Sequence, residues 1–113
     1  SKGDLHEKIY DIACSDERPI GTDDRCDGAV GSTVNVAAAT YTNDIGDALL
    51  MAYWQDPDFD SGERAFYYIR VLEIPTPRWT TYDAAFFADV DLPEGVPAEQ
   101  QDRAYTSPIW YTP

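Results

Sequence analysis

Residues 65–74, AFYYIRVLEI, constrain this chain more than any other stretch. Almost every position is β-branched, aromatic or aliphatic, the composition of a pleated strand rather than a helix. Tyr67, Ile69 and Val71 fall on one face, and Phe66, Tyr68, Arg70 and Leu72 on the other. Apolar residues on both faces predict a strand covered on both sides. Pro75 and Pro77 are expected to end it, because proline cannot donate to a ladder.

The remaining strands are read around this one. Residues 5–13 predict an edge strand, and residues 33–42 another, weakened by the run Ala37, Ala38 and Ala39. Residues 48–54, ALLMAYW, are too short for a typical helix and read as a buried strand. Residues 104–111 predict a closing strand in which Pro108 is permitted only at an edge or a bulge. Loops are expected over residues 15–31, 56–62 and 92–97, with a turn at Asn43, Asp44, Ile45 and Gly46. Residues 81–87 suit one or two helical turns, and Pro97 can open a short helix through Gln101. The expectation is an all-β fold, an antiparallel β-sandwich of immunoglobulin-like type with long loops, forming a single module over residues 1–113.

Size and charge narrow the partners. A chain of 113 residues has room for one domain, burying roughly two-thirds of its unfolded surface. The formal net charge is −13, with 21 acidic and 8 basic residues. Phosphate backbones are held by clustered Lys and Arg, whereas here the basic residues are scattered from Lys2 to Arg103. Nucleic acid is therefore excluded as a partner, and so is an anionic membrane surface. Membrane insertion is not expected either, since no apolar run approaches the ~20 residues that span a bilayer. The sequence opens Ser-Lys-Gly without Met, so a processed piece is expected.

Cys14 and Cys26 flank a polar stretch containing Pro19, Gly21, Asp23 and Asp24. With His6 the only histidine, two cysteines cannot complete a zinc site. A disulfide between them closes a loop worth roughly 3 kcal/mol in the chain-entropy model; two free buried thiols are the other reading. The disulfide places the chain in an oxidising compartment, extracellular or periplasmic.

Catalytic chemistry finds little to work with. A Ser or Cys nucleophile needs a neighbouring base, and the single His6 lies near the N-terminus. Glycoside hydrolysis needs two carboxylates with separated pKa values, and among 21 acidic residues chance pairs carry no signal. Asp56, Asp58 and Asp60 alternate along a loop and could converge on a structural calcium, as could Asp23, Asp24 and Asp27. The run lacks the glycine and distal Glu of an EF-hand, and solvated turns with Asx hydrogen bonds explain the same residues. Trp79, Tyr82, Phe86, Phe87, Trp110 and Tyr111 could form a carbohydrate or peptide platform, although core packing accounts for most of them. No catalytic residue and no cofactor beyond that calcium is expected. Neither Asn35 nor Asn43 lies in an Asn-x-Ser/Thr sequon.

Several blocks carry a family resemblance: His6-Glu7-Lys8 with Tyr10-Asp11, Val30-Gly31 and Thr33-Val34, Tyr41-Thr42-Asn43 with Ile45-Gly46, and Trp54 with Asp56 to Asp60. The most specific block runs from Ala65 through Arg70 and Pro75 to Trp79, and Ser107-Pro108-Ile109-Trp110-Tyr111-Thr112-Pro113 closes the set. On these residues the chain resembles the C-terminal part of the family called "domain of unknown function 3604". The resemblance implies longer relatives, similar to metal-dependent hydrolases of the polymerase-and-histidinol-phosphatase type, whose metal motifs lie upstream. No catalytic residue then carries over to this chain, only a β-sandwich tail. It also implies an apolar strand before Ser1. A sandwich lacking one strand has an open edge, which another chain could fill by β-augmentation. Filled by identical subunits, the contact is head-to-tail and gives a filament. Two functions are expected on this basis: a secreted structural module that self-associates into fibres, or an accessory C-terminal domain of a secreted metal-dependent hydrolase.

Overall fold

The 65–74 run forms one arm of a long antiparallel ribbon in the computed structural model, which describes residues 3–113. Three short ladders follow one another along it. β1 (Ala65–Tyr67) pairs with β6 (Ile109–Tyr111), β2 (Arg70–Leu72) with β5 (Arg103–Tyr105), and β3 (Thr76–Pro77) with β4 (Glu99–Gln100). Ala65 stands opposite Tyr111, Arg70 opposite Tyr105 and Thr76 opposite Gln100. Between the first two ladders, residues 106–108 face the shorter stretch 68–69; between the next two, residues 73–75 face 101–102. Each arm thus carries one surplus residue, and each surplus stretch contains a proline, Pro108 or Pro75. An unpaired residue is where a strand can tolerate a missing donor.

Hydrogen bonds carry the ribbon across both interruptions. Thr106 N–H donates to Ile69 O at 3.0 Å, and Ile69 N–H to the Thr106 hydroxyl at 2.9 Å. Glu73 N–H reaches Asp102 O at 3.0 Å, while the Gln101 side chain donates to Glu73 O at 2.9 Å. Pro108 therefore sits at a bulge, one of the two places open to it. Pro75 does not end the pairing; it only displaces it by one residue.

The far end of the ribbon is closed by α1 (Trp79–Phe86) and the loop behind it. This helix is turned inside out. Its buried residues are Thr80 and Thr81, whereas Trp79, Tyr82 and Phe86 face solvent. Thr81 is fully enclosed, and its hydroxyl donates to Ala98 O at 2.5 Å. The same carbonyl accepts Arg78 N–H at 2.9 Å, which docks the helix start onto the return strand. The helix expected over residues 97–101 is replaced by β4, because Glu99 and Gln100 are claimed by pairing with Pro77 and Thr76.

Residues 3–64 hold no helix and only two isolated bridges, Ile20 with Cys26 and Asn35 with Thr40. The expected edge strand at 5–13 is not formed; these residues join no ladder. In place of a strand at 33–42 there is a closed loop. Asn35 and Thr40 exchange N–H···O bonds of 2.8 and 3.2 Å, the Asn35 side chain accepts Ala38 N–H, and Ala39 takes a left-handed φ of 49°. The turn at 43–46 is present, with Gly46 at φ 77°. Residues 48–54 are exposed and lie outside every ladder, with a bend at Ala48, rather than forming a buried strand.

One cause underlies these departures: the ladders are two-stranded and do not close into a sandwich among the described residues. No second layer covers the ribbon, so Phe66, Tyr68, Ile69, Val71 and Leu72 remain exposed instead of being covered on both faces. Ala39 is the only buried hydrophobic residue described. The accessible surface is 9146 Å², against roughly 6,200 Å² for a compact monomer of this mass. The radius of gyration, 18.9 Å, likewise exceeds the ~13 Å of a compact domain this long. Among the described residues, no helix is long and apolar enough to cross a membrane.

Candidate functional site

The loop after Trp54 ties the N-terminal segment to the ribbon. Tyr67, on β1, donates its hydroxyl to Asp56 at 2.7 Å, and the other Asp56 oxygen accepts Asp58 N–H at 2.9 Å. Asp58 in turn accepts the Tyr10 hydroxyl at 2.8 Å and pairs with the Lys8 ammonium. Trp54 fills the space between the tyrosines, 5.0 Å from the Tyr10 ring and 6.4 Å from that of Tyr67. Phe59 meets Tyr111 edge-on at 4.9 Å, and the Tyr111 hydroxyl donates to Ser61 O at 3.0 Å.

The charge pattern follows from these bonds. The Lys8 ammonium, and after it the Tyr10 hydroxyl, hold the Asp58 carboxyl below its ordinary range. Asp58 reciprocally raises both Lys8 and Tyr10, and Asp56 raises the Tyr67 phenol by accepting its proton in a hydrogen bond.

Asp56, Asp58 and Asp60 are not drawn together. Each serves a different donor; Asp60 closes an Asx turn on Gly62 N–H at 2.8 Å. Asp23 does the same for Arg25 N–H at 3.2 Å, and neither Asp24 nor Asp27 joins it in a cluster. Among the described residues, no group of three or more His, Cys, Asp or Glu is arranged to hold a metal. His6 is exposed.

Cys14 and Cys26 form the expected disulfide, with Cα atoms 5.8 Å apart. Its loop is pinned from both sides. Asp11 N–H donates to Asp24 O at 2.9 Å while its carboxylate accepts Cys26 N–H at 2.9 Å. Asp16 accepts Gly46 N–H and offers its own N–H to Asp47, at 2.9 Å. These bonds join the cysteine loop to the 43–46 turn.

The aromatic residues assigned mainly to a core lie elsewhere. Trp79, Tyr82, Phe86, Phe87 and Trp110 are exposed; only Tyr111 is partly buried. An open trough beside α1 is lined by Ala38, Ala39, Tyr82, Phe86 and Phe87. Along the ribbon a separate row forms. Trp110 lies 5.1 Å from Phe66, Phe66 6.3 Å from Tyr68, and Tyr68 6.2 Å from Tyr105. At its end Arg103, then Arg70, hold the Tyr105 phenol below its usual range. Sequence alternation places Phe66 and Tyr68 on one face of the first arm but does not reach Tyr105 or the row. The available signal is that both faces of residues 65–74 are apolar.

These features define a disulfide-bonded β-ribbon protein that displays most of its aromatic residues. It belongs to the family described as protein of unknown function DUF3604, whose family model matches residues 1–113. No curated protein and no solved structure matches it.

Proposed function

We propose that this chain is a non-catalytic structural and interaction module, self-associating by β-strand complementation in an extracellular or periplasmic setting. The observation that carries the reading is the surplus of exposed surface, 9146 Å² against the roughly 6,200 Å² of a compact monomer. A surplus of that size, with Leu49, Met51, Tyr53, Ile69, Val71 and Leu72 among the exposed residues, marks an interface. The difference, roughly 2,900 Å², lies in the range of obligate assemblies. Neighbouring copies then supply the second layer that turns the ribbon into a sandwich. Head-to-tail contact leaves each end open, so a fibre results. The Cys14–Cys26 bridge fits an oxidising compartment.

A second reading is favoured by charge. Stacked copies of a −13 chain repel, and a thin, extended chain could instead lie over a larger, less acidic body. On that reading the chain is an accessory C-terminal part of a secreted metal-dependent hydrolase.

Sedimentation velocity and electron microscopy of the purified chain at micromolar concentration and raised salt test the proposal. Fibres or large oligomers are expected. Dispersed, compact monomers with a cooperative melt would overturn it.

A further inference from the structure

We infer that residues 48–55 of one copy add as an antiparallel strand to the open outer edge of residues 65–72 in the next copy. This deepens the self-association reading and rests on it.

Both edges are unpaired. Among the described residues, no hydrogen bond reaches the backbone of residues 48–55. Exposure alternates along this stretch as in a strand: Leu49, Met51 and Tyr53 are 74%, 82% and 93% exposed, against 44% for Leu50 and 38% for Trp54. Trp54 packs against Tyr10 and Tyr67. On the ribbon, Ile69 and Glu73 turn their backbone groups toward the second arm. The two-residue alternation of a strand therefore turns those of Phe66, Tyr68, Arg70 and Leu72 outward. No proline interrupts that edge before Pro75.

A long, flat, apolar edge is a template for another strand, and main-chain bonds give such an addition its affinity. A second copy is the occupant that the chain favours, on three grounds. The two segments match in length. The donor carries no charge in a strongly acidic chain, so it is the part that can approach another copy at the lowest electrostatic cost. Aligned antiparallel with Gln55 opposite Ala65, the donor also brings Asp56 opposite Arg64 and sets Met51 against Ile69 and Tyr53 against Tyr67. At the other end Asp47 meets Glu73, which makes the contact stronger as salt screens like charges.

The experiment uses the full chain. Amide exchange at residues 49–55 is expected to slow by about tenfold or more as concentration rises from micromolar to hundreds of micromolar, since pairing closes the local opening. Ala52→Pro removes a donor from the middle of the strand, and Met51→Lys puts a charge into it; both are expected to abolish or sharply weaken sedimentation of oligomers. Mixing an Ala52→Cys chain with a Tyr68→Cys chain should give an intermolecular disulfide that Ala52→Cys alone does not. If the parent chain assembles while both strand variants assemble equally well, the inference fails and the self-association reading stands. If the parent chain never assembles, that reading fails. Exchange protection independent of concentration would put residues 48–55 on their own arm and overturn the inference.

Discussion

Trp110 and Tyr105 lie on the same face of the ribbon although they are five positions apart in the sequence. Alternation along a strand would put them on opposite faces. The surplus residue in 106–108 reverses the alternation, so Tyr105 stands across from Arg70 and Trp110 across from Phe66. Phe66, Tyr68 and Arg70 share one face of the first arm, and the aromatic row follows from that.

Phe66 is an inner ring of this row, 5.1 Å from Trp110 and 6.3 Å from Tyr68. Phe66→Ala breaks two ring contacts, each worth about 0.5–1.5 kcal/mol beyond burial, and should lower the urea midpoint accordingly. Deleting Pro108 removes the surplus residue without moving Trp110 away from Phe66, so nuclear Overhauser contacts between the two rings should persist.

Gly46 is irreplaceable for two reasons. Its φ is 77°, and a Cβ there would stand 2.7 Å from Ile74 Cγ2. Gly46→Ala should cost about 1–3 kcal/mol and speed exchange of the Gly46 amide, which Asp16 holds. Gly62→Ala meets only the Asp60 carboxylate at 3.3 Å and should cost far less.

The two buried threonines of α1 should respond with opposite signs. The Thr80 hydroxyl is buried without a partner, so Thr80→Val removes an unsatisfied group and should stabilise by about 1 kcal/mol. Thr81→Val loses a bond to Ala98 O and should destabilise by about 0.5–1.5 kcal/mol. Thermal melts of the two variants, run side by side, give the comparison.

Reduction or Cys14→Ser opens the loop closed by the Cys14–Cys26 bridge. The expected loss is about 3 kcal/mol, seen as a lower melting temperature in the presence of reductant.

The latch between Lys8, Tyr10 and Asp58 has a defined pH window. The Asp58 carboxyl is depressed from 3.8, so its contribution is present above that value and fades as pH falls through the lower folded value. Lys8 is raised from 10.5; its contribution is present below that value and lost as pH climbs through the higher folded one. Exchange protection near Tyr10 should therefore be flat from about pH 5 to 9 and decline on both flanks. Asp58→Asn should remove the acid-side decline.

The sequence made the ribbon's first arm, the helix near residue 81, the disulfide and the Asx loop at 56–62 legible, because each depends on local chemistry. Residues 65–74 have one consistent β composition, Cys14 and Cys26 had no other role, and Pro57 bars a ladder. What could not be read were outcomes decided by cover. Residues 48–54 and the aromatic residues of α1 were assigned to an interior because apolar side chains normally find one. Among the described residues they find none. Residues 97–101 read as a helix because the proline signal at Pro97 is local, whereas the partner that makes Glu99 a strand residue lies at Pro77. A bulge is one of the two sites that the sequence allows Pro108, whereas the aromatic row across it depends on which residues of the second arm face Phe66 and Arg70.

The inverted helix, threonines inward and rings outward, has a thermodynamic consequence. Heat-capacity change tracks the apolar area hidden from water. A chain that hides so little on acquiring its own shape should unfold with a shallow, nearly temperature-independent enthalpy. The pronounced negative heat-capacity step normally seen on folding should appear instead when a neighbour covers Trp79 and Phe86, so a calorimeter would register its docking more strongly than its folding.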